Sequence, residues 1–136
     1  MTNDLNSLLE FLPQKAPVGF VKEVLICEEH ESRTRVSFES VPTLSMLSEA
    51  GAQTSIFLRL TQEKKEANIP LRAMGMLVSI KSKWLERSEK KSFEVESHYV
   101  NNLDSFFVVD FTVFDGEIAV AQGQVAAVLE QNGERL

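Results

Sequence analysis

Between Ser40 and Leu58 the chain carries one charged side chain, Glu49, in a run that also holds Leu44, Met46, Leu47, Ala50, Ala52, Ile56 and Phe57. A carboxylate among apolar groups needs a hydrogen-bond partner, and burial raises the pKa of a carboxyl into the range useful to a general base. Glu49 is therefore the leading candidate either to take a proton or to position a ligand. Gln53 follows one helical turn later and would share its face. The plainer alternatives are a structural hydrogen bond for Gln53 and, for Glu49, a polar anchor bonded to Gln53 or to a hydroxyl across a subunit interface. Ser45 and Ser48 stand nearby, but a serine nucleophile needs an oriented base. His30 and His98 are remote in sequence from them and from each other, so no metal-ligand spacing exists, and the single Cys27 cannot close an internal disulfide.

A second group with chemical potential is Lys81, Lys83, Arg87, Lys90 and Lys91, the most cationic stretch of the chain, with Trp84 inside it. These residues suit phosphates or an acidic protein partner; a solvated strand edge is the ordinary reading of such a run. Trp84 suits stacking on a flat ring or covering a sheet edge. The net charge of −6 repels a nucleic-acid backbone, and no basic run with interleaved aromatics overrides it, so nucleic-acid binding is not expected.

The elements that must hold these residues follow from periodicity. Leu5, Leu8, Leu9 and Phe11 have helical spacing up to Leu12-Pro13, which predicts a short N-terminal helix over 4–11. Gly19 to about His30 and then Thr34, Val36 and Phe38 read as two strands around an acidic turn, Glu28–Ser32. From Pro42 to about Thr61 apolar residues surround most of the helical circumference, so a helix wrapped by protein is expected. Gly51 in its middle costs about 1 kcal/mol against alanine, which implies close approach of another backbone or a ligand. After a polar linker, Gln62–Glu66, four strands are expected: about Met74–Leu85, Ser92–Val100, Ser105–Phe114 and Glu117–Leu129. Asp115-Gly116 marks a tight hairpin between the last two. In Ser105–Phe114 one face, Phe107, Val109, Phe111 and Val113, is wholly apolar.

The 136 residues suit one domain, 1–136, with 43% hydrophobic and 25% charged residues. No stretch approaches the roughly 20 apolar residues of a spanning helix. The start, Met1-Thr2-Asn3-Asp4, lacks a secretory pattern, so a cytoplasmic location is expected.

The order of elements and two local strings resemble the hotdog fold of the 3-hydroxyacyl-ACP dehydratases and acyl-CoA thioesterases. Leu12-Pro13-Gln14-Lys15-Ala16-Pro17, running into Val21-Lys22-Glu23-Val24-Leu25, is similar to the start of the dehydratases, and Glu49-Ala50-Gly51-Ala52-Gln53 resembles the Glu-Ala-x-Ala-Gln of their central helix. The resemblance implies an α+β fold in which a curved antiparallel sheet of about six strands wraps one central helix. It implies Glu49, with Gln53, at the reacting centre. It also implies a coenzyme A or phosphopantetheine thioester as ligand rather than a separate cofactor, with backbone amides near Leu44, Ser45 and Met46 polarising its carbonyl. Met46, Met74 and Met76 would suit an adaptable acyl pocket, and Lys81, Lys83, Trp84 and Arg87 would meet the coenzyme A nucleotide or an acyl-carrier protein.

The sequence departs from the dehydratases where their histidine should stand. That residue lies in His-Phe-Pro-Gly ahead of the helix Glu; here the stretch is Arg35-Val36-Ser37-Phe38-Glu39-Ser40-Val41-Pro42. Water elimination needs both a base and an acid, so dehydratase activity is not expected. The lead expectation is an acyl-CoA or acyl-carrier-protein thioester-binding protein. The alternatives are a thioesterase with Glu49 as base and a structural dimer with a collapsed tunnel. A homodimer or dimer of dimers is implied, with sheets paired edge to edge.

Overall fold

Alternation of apolar and polar residues builds the sheet, and the one apolar segment without that alternation builds the helix. The computed structural model describes residues 20–66, 75–102 and 106–129. In chain order the elements are β1 (Val21–Cys27), β2 (Glu31–Ser37), α1 (Leu44–Glu66), β3 (Gly75–Trp84), β4 (Ser92–Asn102), β5 (Phe106–Asp115) and β6 (Ile118–Leu129). The strands form one open antiparallel sheet in the order β1-β2-β4-β5-β6-β3, which leaves β1 and β3 as its edges. The sheet curves so that α1 touches all six strands.

Along β5, Phe107, Val109, Phe111 and Val113 are buried and the residues between them are half-buried, as the alternation predicts. They meet Leu47, Ala50, Phe57 and Leu58 of α1, with Val36 of β2 and Phe93 and Val95 of β4 completing the inner layer. Phe20, Phe38 and Phe93 close one end, with ring centroids 4.6 and 6.3 Å apart. The hairpin between β5 and β6 turns at Asp115-Gly116, where Gly116 has φ 66°.

The close approach expected at Gly51 is made by an aromatic side chain rather than by backbone or ligand. The Phe111 ring lies over Gly51 on α1 and against Gly123 on β6, so two residues without side chains make the slot that holds it.

Buried hydroxyls stitch the helix to β2 and β4. Ser32 Oγ donates to the Thr54 carbonyl at 2.9 Å and lies 2.7 Å from Ser97 Oγ. Thr54 Oγ1 donates to the Ala50 carbonyl at 2.8 Å and lies 2.8 Å from Thr34 Oγ1. All four side chains are fully buried, so these bonds satisfy groups that would otherwise cost stability.

Two boundaries differ from the sequence expectation. Gln62–Glu66 is the end of α1 rather than a linker, because glutamine, glutamate and lysine are good helix formers and simply extend the helix. Glu31 and Ser32 belong to β2 rather than to the turn, which is shorter and closed by Glu28 N–H donating to the Glu31 carbonyl at 2.8 Å. The expected N-terminal helix, the Leu12–Pro17 string and Met74 lie outside the described residues.

Candidate functional site

The start of α1 is set by Thr43. Its carbonyl accepts the Leu47 N–H at 3.1 Å and its hydroxyl accepts the Met46 N–H at 3.2 Å, the arrangement of an N-cap. Of the three helix-start amides expected to polarise a carbonyl, that of Met46 is thus already engaged. Those of Leu44 and Ser45 make no hydrogen bond with any described residue. They point to the positive end of the helix, where an oxyanion is favoured. Thr43 was legible in the sequence as a capping residue just ahead of the apolar run, and is the residue here that sequence reasoning missed.

Ser45, Glu49 and Gln53 follow at intervals of four and share one face of α1. Exposure falls along that face: Ser45 is exposed, Glu49 half-buried and Gln53 fully buried. Gln53 Oε1 accepts the Phe20 N–H at 2.9 Å. A backbone N–H can only donate, so the amide orientation is fixed and its nitrogen must face the other way. That nitrogen donates to Glu49 Oε2 at 3.3 Å. One carboxylate oxygen is thus held from the buried side.

The next face of α1 is tied to β3. Ser48 Oγ lies 2.9 Å from the Leu44 carbonyl and shares a 2.6 Å hydrogen bond with Ser82 Oγ. Both bonds hold Ser48 in the packing between α1 and β3. Leu44 and Met46 are half-buried and pack against the core, while Met76 stands on β3 opposite Val128.

The cationic residues do not gather at Glu49. Ser82 faces the helix, so Lys81 and Lys83, one step to either side of it, face outward across the sheet. Trp84 is half-buried against the core, and the Arg87 guanidinium lies 5.0 Å from its ring centroid, so one face of the indole is covered by a cation. Lys90 pairs with Asp115 at 3.1 Å. His30 is exposed in the β1–β2 turn.

His98 is on the outer face of β4. There it borders a cavity of about 390 Å³ with Lys81, Lys83, Asp110, Thr112 and Gln122. Gln124 lines it too and donates to Asp110 Oδ1 at 3.0 Å. The cavity and the Glu49 face are therefore on opposite sides of the sheet.

Elsewhere on the outer face, the hydrogen bond that Glu31 shares with Glu96 holds the Glu31 carboxyl above its usual value, with burial adding to it. Burial pushes Glu96 the same way, but hydrogen bonds from Glu31 and Arg33 outweigh it and leave Glu96 below the usual range. No cluster of metal-ligating side chains occurs among the described residues. No helix among them is long and apolar enough to cross a membrane.

No protein-family model and no curated protein matches the sequence. Solved structures do match the fold. Zebra fish thioesterase superfamily member 2 superposes with a TM-score of 0.70 at 12% identity, covering 95% of this chain and 100% of that one. A hypothetical thioesterase protein with coenzyme A from Streptococcus pneumoniae gives 0.64 at 10% identity, over 79% of this chain and 84% of that one. The smu.793 protein of Streptococcus mutans, bound to acetyl CoA, gives 0.63 at 11% identity, over 79% and 86%. At such identities the likeness establishes the fold, and the fold is the hotdog fold of the thioesterase superfamily structures.

Proposed function

We propose that this chain binds acyl thioesters of coenzyme A or of an acyl-carrier protein, with the thioester carbonyl placed between Glu49 and the start of α1. The observation that carries the reading is the graded face Ser45–Glu49–Gln53. Gln53 anchors one oxygen of Glu49 from within, and two unengaged amides, of Leu44 and Ser45, lie one turn away at the positive end of the helix. The coenzyme A and acetyl CoA in two structures of the same fold support a thioester as the ligand class. Trp84 and Arg87, at the end of β3, are the groups this reading assigns to the nucleotide end of coenzyme A, and Met46 and Met76 to the acyl chain.

The same geometry favours thioester hydrolysis as a second reading. Glu49 would take a proton from water as the water oxygen adds to the thioester carbon, and the Leu44 and Ser45 amides would stabilise the oxyanion. On collapse the carbon–sulfur bond breaks, the thiolate takes that proton and the fatty acid leaves. Dehydration is not part of the proposal, since His98 is across the sheet and His30 is in a turn.

A homodimer or a dimer of dimers in the cytoplasm belongs to the same proposal. The edge of β3, which pairs with no strand but β6 among the described residues, supports it, because an unpaired ladder is a ready template for a second sheet.

The test is thiol release from short to long acyl-CoAs by the wild type and by Glu49→Ala, together with the melting temperature in each acyl-CoA. Steady release lost in Glu49→Ala identifies the hydrolase. Stabilisation without release identifies the binding protein, because a ligand that binds only the native state must raise its stability. If no acyl-CoA raises the midpoint or yields thiol, the reading falls and a structural dimer takes its place.

A further inference from the structure

We propose that the outer face of the sheet carries a basin for a phosphate-bearing small molecule, on the opposite side of the sheet from Glu49.

The outer face has two halves of different character. Over β1, β2 and β4 the cations are neutralised in place. Arg33 pairs with Glu94 at 3.1 Å and with Glu96 at 3.0 Å, and lies over the Phe114 ring. Arg35 pairs with Glu23 and, at 3.4 Å, with Glu94. In that half both arginine guanidiniums are already held by carboxylates.

Over β4, β5, β6 and β3 the polar groups instead surround the cavity. Strand register sets them in two cross-strand rows. One row runs Lys81, Gln124, Asp110, His98; the other runs Lys83, Gln122, Thr112. Directly opposed residues on one face of an antiparallel pair have Cβ atoms about 5 Å apart, so the rows are continuous. Among the described residues one carboxylate lines the cavity, that of Asp110, and its Oδ1 accepts a hydrogen bond from Gln124. The side chains of Lys81, Lys83, His98, Thr112 and Gln122 make no hydrogen bond or ion pair with any described residue.

What remains is an excess of donors: two ammonium groups, an imidazole, a hydroxyl and a carboxamide around about 390 Å³. Small-molecule sites occupy roughly 300–1,000 Å³. In a chain of net charge −6, two lysines against one carboxylate give the lining a small cationic excess at its β3 end, while Glu31 and Glu96 stand at the far ends of the two rows. The complement of several donors and two cations is a group with several anionic oxygens, and phosphate is the group that lysine meets as a point charge. A single carboxylate would leave most of the donors unused.

Such a phosphate could belong to a free phosphorylated compound or to the nucleotide end of coenzyme A folding over the β3 edge. Two probes separate the sources: inorganic pyrophosphate and adenosine 3′,5′-bisphosphate. The experiment is calorimetric titration of the full chain with each, repeated with saturating acyl-CoA present. The variants are Lys81→Glu/Lys83→Glu, the milder Lys81→Gln/Lys83→Gln, and Lys90→Gln/Lys91→Gln as a control for general surface charge.

Saturable binding that weakens roughly tenfold or more in both Lys81/Lys83 variants, and not in the control, supports the site. Displacement of the bisphosphate by acyl-CoA assigns it to coenzyme A; pyrophosphate binding undisturbed by acyl-CoA assigns it to a free phosphate compound. Binding that persists in Glu49→Ala keeps the basin distinct from the helix-side site whatever becomes of the latter. Absence of saturable binding to either probe, or equal weakening in the control, overturns the proposal.

Discussion

The Phe111 ring fills the space that a side chain at residue 51 would need: a Cβ on Gly51 would stand 2.6 Å from the ring carbons, and one on Gly123 2.5 Å from its tip. The ring is nearly fully buried and is held from both sides, so it cannot swing clear.

Gly51→Ala should therefore destabilise the protein, against the usual trend. Alanine ordinarily gains about 1 kcal/mol over glycine within a helix. Overpacking a closed core costs about 1–3 kcal/mol, and with the ring fully buried and confined at its base by Gly51 and at its tip by Gly123 we expect the upper part of that range. Denaturant unfolding should show a net loss, smaller when Phe111→Leu is present. A stabilised Gly51→Ala protein would refute the slot.

Gln53→Leu preserves volume but removes the acceptor of the Phe20 N–H and the donor to Glu49. A buried donor left without a partner costs about 1–3 kcal/mol. The expected result is a loss of that size in chemical unfolding. Any activity or acyl-CoA affinity that depends on Glu49 should fall with it.

The Thr34–Thr54 pair should behave as a unit. Thr54→Val strands Thr34 Oγ1, and Thr34→Val removes one partner of Thr54, while the double variant leaves neither hydroxyl exposed to an apolar neighbour. Each single substitution should cost about 1–2 kcal/mol and the double clearly less than their sum. Strict additivity would mean that the 2.8 Å contact contributes nothing.

Glu31 gives a pH dependence with a definite sign. The folded state holds its proton more tightly than the unfolded chain, whose carboxyl titrates near 4.5. Its contribution is therefore complete below 4.5 and is lost as pH rises through the raised folded value. Glu96, held low, works in the opposite sense. Glu31→Gln can still donate to Glu96 but cannot ionise. It should melt above the wild type at neutral pH and converge with it on acidification. A constant difference at all pH values would refute the shared proton.

Much of this architecture was legible in the residues themselves. The alternation of β5 assigns Phe107, Val109, Phe111 and Val113 to the core, and Asp115-Gly116 marks its hairpin. Gly51 signals a close approach but not what approaches, because the partner is 60 positions away on another element. The end of α1 was misread because a solvated helical turn and a polar linker share a composition. Ser32, Thr34 and Ser97 look like surface residues of half-exposed strands. They are buried because the Thr54 carbonyl and hydroxyl meet Ser32 and Thr34 across the core and Ser32 meets Ser97, which no local pattern records. Glu49 and Gln53 were recognisable as neighbours from their spacing; the Phe20 amide that fixes the orientation of Gln53 was not. Lys81, Lys83 and Trp84 were grouped as one patch, yet strand alternation divides them between the two faces of β3.

The strand order has a consequence for vectorial synthesis. Among the described strands β3 is made third, yet its neighbour in the sheet is β6, the last of them. From the time residue 84 leaves the ribosome until residue 129 follows it, the strand that pairs with β3 among the described residues is still incomplete. In the folded chain Ser82 also bonds the Ser48 hydroxyl on α1, a contact whose two partners are both made before β6. The nascent chain is then most exposed to chaperones, or to capture by another copy of itself, and a pause in translation between β3 and β6 would lengthen that window.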